Sequence, residues 1–355
     1  MNLRGKRKFG LLAFALAVAA LMTPAASAAT PPCQTKNVRT GVEYKGASAL
    51  ATALTAAAAG DTVNVWGTCV GNFTLAKDVT LQGKGSGAAL DGNQTGRVLN
   101  ITTGTTATIR GLTITNGLRD GLGGGIYVRP GATAVLVDSA VTGNTGGAKS
   151  IGGGIEADEG SSLTLIRSVV SGNSAGSSGG IDIFFATVSL IDSRVTGNHA
   201  TRTPGPREPG ADGCGFGDPI VLYACAGGIW NYHGTLSLTN TTVNSNTAAY
   251  RGGGLRTDAT LDASNPIDGI TTLSGSTTIS SNTAADQGGG IWAAARVPDP
   301  ENPGQFLPAD PNGTVRAADG TGALPAWTGS VSGNSPDQCF PTLTLGTHSC
   351  GSTFD

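Results

Sequence analysis

Charge is scarce in this chain. Charged residues make up 13% of 355 positions, about half the share of an average soluble domain, and the formal net charge is −2. That balance excludes the basic footprint of a nucleic-acid binder and the polybasic stretch that holds a protein to an anionic membrane. Histidine occurs 3 times, at His199, His233 and His348, and none of the cysteines has zinc-ligand spacing, so a zinc site is not expected. Beyond the first residues no apolar run approaches the roughly 20 positions of a membrane-spanning helix, which argues against membrane insertion. Threonine is plentiful but does not recur as a regular flat Thr-x-Thr array, which speaks against an ice-binding face.

Residues 1–28 have the three parts of a secretory leader. "MNLRGKRK" is basic, "LLAFALAVAALM" is apolar, and "ASA" at Ala26–Ala28 is a small-residue cleavage site. The mature chain is therefore expected outside the cytoplasm, secreted or at the cell surface, as a soluble monomer. Six cysteines in such a chain point to disulfides. Their spacing favours local pairs: Cys33 with Cys69, Cys214 with Cys225, and Cys339 with Cys350. Glycine, at 56 residues, is roughly twice as frequent as usual, which suits a turn-rich all-β protein.

One phrase recurs: "VTGNTGGAKSIGGGI", "VSGNSAGSSGGI", "VNSNTAAYRGGGL", "ISSNTAADQGGGI". Its asparagines are Asn144, Asn173, Asn198, Asn246, Asn282 and Asn334, each with Val or Ile three residues earlier. Ser or Thr stands five residues before most of them, and Gly runs precede Ile126, Ile155, Ile181, Ile229, Leu255 and Ile291. A third alternating segment ("SLTLI", "TVSLI", "TLSLT") lies between the two. Asn144, Asn173 and Asn198 are 29 and 25 residues apart, a period that signals a solenoid. Strands this short pair with the same strand of the next unit, ~4.8 Å away, so inward Ile, Leu and Val form columns. Glycine supplies close approach and positive φ at the corner, and asparagine tolerates the left-handed conformation and stacks between units.

The expected fold is all-β: a right-handed parallel β-helix with three strands per coil and about nine coils. It would carry an N-terminal capping helix and a disulfide-closed C-terminal cap. In "KGASALATALTAAAAGDTV", Leu50 and Leu54 share one face of an Ala-rich helix that stops at Gly60, covering otherwise open strand edges. The divisions expected are 29–80 for the cap and first strands, 81–338 for the helix proper, and 339–355 for the terminal cap. The "GGGI … VSGN" phrasing resembles secreted repeat proteins of the pectin-lyase-like fold, and is similar to the GGA[IV] … FxxN repeats of polymorphic outer membrane proteins. The resemblance covers roughly residues 60–340, with the Phe of FxxN replaced here by Ser, Thr or aliphatic residues.

Strand alternation then gives a surface map. With each Ile pointing inward, the next residue points outward: Tyr127, Glu156, Asp182, Trp230, Arg256 and Trp292. A second column holds Arg129, Asp158, Phe184, Tyr232, Asp258 and Ala294. Three long inserts rise beside these strands: "TRTPGPREPGADGCGFGDPIVLYAC", "ASNPIDG" and "RVPDPENPGQFLPADPNGTVRAADG". Tyr127, Phe184, Trp230, Tyr232 and Trp292 would line a solvent-facing groove whose rings stack on sugars. The resemblance implies an extended polysaccharide in the same region.

Glu156 and Asp182 would be cross-strand neighbours of like charge, unfavourable without a partner. With Asp158 they are candidates for Ca²⁺, for neutralisation by Arg129, or for a carboxyl that keeps its proton. The resemblance also implies a calcium-assisted polysaccharide lyase in which Glu156, Asp182 and Arg256 would act, although the NTD, GHG and RIK signatures of related hydrolases are absent. The reading leans away from catalysis, toward non-catalytic binding of a polysaccharide or surface glycan.

Overall fold

The computed structural model describes residues 32–202, 226–260, 267–293, 297–298, 306–307, 314–340, 343–345 and 348–350. The expected leader, the expected Cys214–Cys225 pair and Ala294 lie outside them.

Nearly all regular structure is strand, arranged in long parallel sheets consistent with a parallel β-helix. Between Ile155 and Ile181 the chain contributes one strand to each of four sheets. Ile155–Ala157 joins a 10-stranded sheet, Ser162–Ile166 an 11-stranded sheet, Val169–Ser171 a 9-stranded sheet, and Ser174–Ala175 a 6-stranded one. The same itinerary repeats in the units before and after. Successive Gly-Ile strands pair in parallel and in register: Ile126 with Ile155, Ile155 with Ile181, Ile181 with Ile229, Ile229 with Leu255, and Leu255 with Ile291. Register is thus kept across the insert between Asp182 and Trp230.

Each of these six aliphatic residues is fully buried, as are their counterparts Val141, Val170, Val195, Val243 and Ile279 on the 9-stranded sheet. Each such side chain contributes roughly 1.5–3 kcal/mol by leaving water. The alternation in the sequence is therefore the inside and outside of the sheets.

The recurring asparagines stack between units as expected, but they do not take the left-handed conformation. The left-handed position is taken by the residue before each of them: Gly143, Gly172, Gly197, Ser245, Ser281 and Gly333, with φ of 55° to 64°. The asparagines themselves are completely buried and hydrogen-bond one another along the sheet axis. The Asn144, Asn173, Asn198, Asn246 and Asn282 amides each donate to the next carbonyl oxygen, Oδ1, at 2.9 Å. Their backbone N–H groups donate to the same oxygens at 2.9–3.0 Å. Gln338 closes one end of the ladder and the Gly117 N–H the other.

The ladder explains the glycines that precede the inward Ile. A Cβ on Gly180 would stand 2.4 Å from the Gly228 carbonyl and 3.1 Å from the Asn198 amide. Close approach is what this glycine supplies, and no side chain fits there.

At the start of the chain, Gln34–Asn37 pairs antiparallel with Asp61–Trp66, and the helix Ala49–Ala56 packs over that end of the 11-stranded sheet. Leu50 is fully buried and Leu54 half-buried, so the helix caps as expected. It ends at Ala57, earlier than Gly60. Cys33 and Cys69 form the expected disulfide. Cys339 is also disulfide-bonded, while the Cys350 side chain lies outside the described residues. Leu343–Leu345 and His348–Cys350 form a terminal antiparallel hairpin.

Candidate functional site

The outer face of the 10-stranded Gly-Ile sheet carries one file of in-register residues. Thr74 lies beside Asn100, Asn100 beside Tyr127, then Glu156, Asp182, Trp230, Arg256 and Trp292 follow. The predicted column is therefore present, including the Glu156–Asp182 adjacency and Arg256 two strands beyond Asp182.

Its expected exposure is not. Trp230 is 0% exposed, Trp292 3% and Tyr127 7%, while Phe184 and Tyr232 are half-buried. Among the described residues no open aromatic groove runs along this face. The cause is a second apolar cluster outside the sheet, in which Trp230 is packed with Ile151, Ala200, Ala226, Ala248, Tyr250 and Ala284. Ala200, Ala248 and Ala284 belong to the two-residue strands, and Ile151, Ala226 and Tyr250 to the segments between those strands and the glycine runs. The segments fold back over the sheet because the first glycine of the run takes a positive φ, 65° at Gly152, and sits against the column. A Cβ on Gly152 would lie 2.8 Å from Glu156 Oε2.

Under this cover the polar members of the file make specific contacts. The Trp230 Nε1–H donates to Asp258 Oδ2 at 2.5 Å, and the Arg256 Nε–H donates to the same oxygen at 2.7 Å. The Arg256 guanidinium stands 4.0 Å from the Trp292 ring centroid, a favourable cation–π arrangement in a site closed to water. Arg251 pairs with Asp286 at 2.9 Å and lies over Tyr250. Phe184 stacks on Tyr232 at 5.6 Å, and Phe185 on His233 at 4.8 Å. Ring stacking here joins neighbouring strands of the protein.

Glu156 and Asp182 are 2% and 1% exposed. Burial, then the like charge and hydrogen bond of Asp182, raise Glu156 well above the carboxylate range; burial raises Asp182 as well. The pair resolves its like charge by keeping a proton. Arg129 does not neutralise it, being exposed and donating to Asn100 Oδ1 at 3.0 Å. Nor do the three acids form a donor set for calcium. Asp158 accepts from the Tyr127 hydroxyl and the Glu159 N–H, and among the described residues no three Asp, Glu, His or Cys side chains converge on a common point. Calcium takes six to eight oxygens, and this arrangement does not supply them.

Four buried polar atoms of the file have no hydrogen-bond partner: Glu156 Oε2, Asp182 Oδ1, Arg256 Nη1 and Trp292 Nε1. Toward Thr74 the character changes. Thr74 and Asn72 are exposed, Asn100 and Arg97 half-buried, Arg119 and Arg129 exposed. Arg97 and Arg129 lie over the Tyr127 ring, at 4.6 and 5.2 Å from its centroid. Arg97, Arg119 and Tyr250 were not singled out in the sequence, because Arg97 and Tyr250 sit in turns and Arg119 in a two-residue strand, all outside the outward columns. The signal available was arginine on consecutive units beside Tyr127.

No protein-family model matches this chain, and no curated protein is similar to it in sequence. Among solved structures, the alginate lyase from Paenibacillus sp. str. FPU-7 is similar at 16% identity, covering 68% of this chain and 92% of that one, with a TM-score of 0.29. So loose a superposition says nothing about chemistry in this chain.

Proposed function

We propose that this chain is an extracellular right-handed parallel β-helix of about nine coils that binds a polysaccharide or surface glycan without transforming it. The secretory leader and the disulfides support the location. Among the described residues no helix is long and apolar enough to cross a membrane, in keeping with a protein that is not membrane-inserted.

The observation that carries the non-catalytic half is the burial of the acids. Glu156 and Asp182, the only carboxylates of the first column, are 2% and 1% exposed under the folded-back segments. A general acid or base must come within hydrogen-bond reach of its substrate, and a polymer chain does not reach these two. Arg256, the third candidate for lyase chemistry, is 4% exposed and committed to Asp258. What stays accessible is the Thr74–Asn100 end of the file, with amide, hydroxyl and guanidinium groups suited to sugar hydroxyls and acidic substituents.

Affinity electrophoresis of the purified chain through gels containing neutral and acidic polysaccharides tests the reading. Retardation by at least one polymer, with polymer length unchanged and no unsaturated uronide absorbance, is the expected result. Free migration in every gel, or shortening of the polymer, rejects it.

A further inference from the structure

Three arginines gather at the accessible end of the Gly-Ile sheet and none is in an ion pair with an acid of the described chain. Elsewhere Arg39 pairs with Asp61, Arg167 with Asp138, Arg251 with Asp286 and Arg256 with Asp258. Arg97, Arg119 and Arg129 have no such partner among the described residues; Arg110, Arg194, Arg202 and Arg316 lack one too, and what sets the three apart is that they lie close to one another.

Their placement is built rather than incidental. The Arg97 Nε–H donates to the carbonyls of Leu122 at 3.2 Å and Gly123 at 2.9 Å, and its Nη2 also donates to Leu122. Arg97 Nη1 and Arg129 Nε both donate to Asn100 Oδ1, at 3.4 and 3.0 Å. Two guanidiniums thus converge on one amide oxygen, over one tyrosine ring. Burial, and then the charge of Arg119, lower Arg97 to about 10, so it remains charged at neutral pH while like charges crowd it. Burial raises Glu156, an acid of the column whose charge would favour Arg97, well above the carboxylate range, and Asp158 is engaged by Tyr127. The Arg119 side chain and the terminal nitrogens of Arg129 make no hydrogen bond among the described residues, so their donors face solvent.

We propose that Arg97, Arg119 and Arg129 form a binding site for the anionic groups, carboxylate or sulfate, of an acidic glycan that lies across Asn100. The proposal deepens the glycan-binding reading and rests on it. Guanidinium donors match the two oxygens of either group in fork geometry. Exposed Asn72 and Thr74, on and beside the preceding strand, extend the site with groups suited to sugar hydroxyls. A polymer fits better than an isolated ion because the arginines arise from two successive units, spaced along the sheet axis.

The test compares the full exported chain with its Arg119→Gln/Arg129→Gln variant in gels containing polygalacturonate, heparin, neutral dextran or double-stranded DNA. Both substituted side chains are exposed, so melting temperature should not move, and an unchanged value certifies the fold. Polygalacturonate or heparin should retard the wild type, and the variant should bind roughly tenfold or more weakly for each arginine lost. Added salt should weaken the wild-type interaction in the same direction. Whether carboxylate or sulfate is preferred follows from which of the two gels retards more strongly. Equal retardation of variant and wild type overturns the proposal, as does equal or stronger retention by DNA. Retention by dextran alone removes the charge-based site while leaving glycan binding intact; retention by nothing removes both.

Discussion

Two buried polar files run along this molecule, and they are built differently. The asparagine file from Asn144 to Asn334 is completely buried and every amide is engaged with the next. The outer file from Tyr127 to Trp292 is buried almost as deeply, yet Glu156, Asp182, Arg256 and Trp292 each leave an atom unpartnered. The strand register is equally regular in both. The difference lies in the side chains. An amide carries a donor and an acceptor together, so each asparagine gives to one neighbour and receives from the other without end. Guanidinium and indole only donate, and a carboxyl pair holding one proton has a single donor for its four oxygens, so a mixed file of them does not close. Register alone does not satisfy a buried polar column.

The largest effect expected on this comparison comes from Trp230→Ala. Its ring is 0% exposed within the second apolar cluster, and emptying such a site costs about 3–5 kcal/mol. Denaturant unfolding should show that loss. A stability equal to wild type would mean that the outer file is surface and not a second core.

The next expected effect is at Asn198, which accepts from the Asn173 amide and donates to Asn246 and to the Val170 carbonyl. Asn198→Asp keeps the shape but removes the donor, importing the outer file's chemistry into the ladder. It should cost about 2–3 kcal/mol at neutral pH. A buried aspartate holds its proton in the folded state, so stability should recover as pH falls. Unfolding midpoints that do not depend on pH in this variant would contradict the donor–acceptor argument.

The smallest effect is the reverse exchange, Glu156→Gln, which supplies a permanent donor beside Asp182. Glu156 is raised well above its ordinary value in the folded protein, so the folded state holds more protons than the unfolded one above about pH 4.3. Wild-type stability should therefore fall as pH rises from there toward the raised value. Glu156→Gln should flatten that fall, seen as a melting temperature higher than wild type at mildly alkaline pH. An unchanged pH slope would place the titration elsewhere.

Much of this was legible in the residues. The Ile126–Ile291 and Val141–Ile279 columns and the cross-strand meeting of Glu156 and Asp182 follow from periodicity, because side-chain direction in a strand has a strict period of two. The Cys33–Cys69 bond follows from local cysteine spacing, and the helix over the first strands from an Ala-rich stretch with Leu50 and Leu54 on one face. The serines and threonines five residues before the asparagines also recur visibly, though their use is not evident from recurrence. In the structure Ser168 Oγ accepts from the Ser139 N–H at 3.2 Å, and Thr277 Oγ1 from the Thr241 N–H at 3.1 Å. They stitch adjacent units together at the corner.

What periodicity conceals is whether an outward residue meets water. Outward from a sheet means exposed only when nothing lies on that face. Alanine does recur two residues after the asparagines, at Ala175, Ala200, Ala248 and Ala284. Recurrence does not say what it packs on, and the stretches that follow, with Ile151 and Tyr250, vary in length and composition from unit to unit. Conversely, Arg97 comes from a turn, where no alternation assigns a direction, and only its convergence with Arg129 on Tyr127 and Asn100 in space makes them a group.

By itself the sequence determined which residues stack on which, since equal spacing and a period-two strand leave one register that buries the aliphatic columns. The tertiary structure alone decided which of the two faces of the Gly-Ile sheet is open, and where. That choice depends on the path of the segments between strands, and such paths are set by contacts between units rather than by any local preference within one.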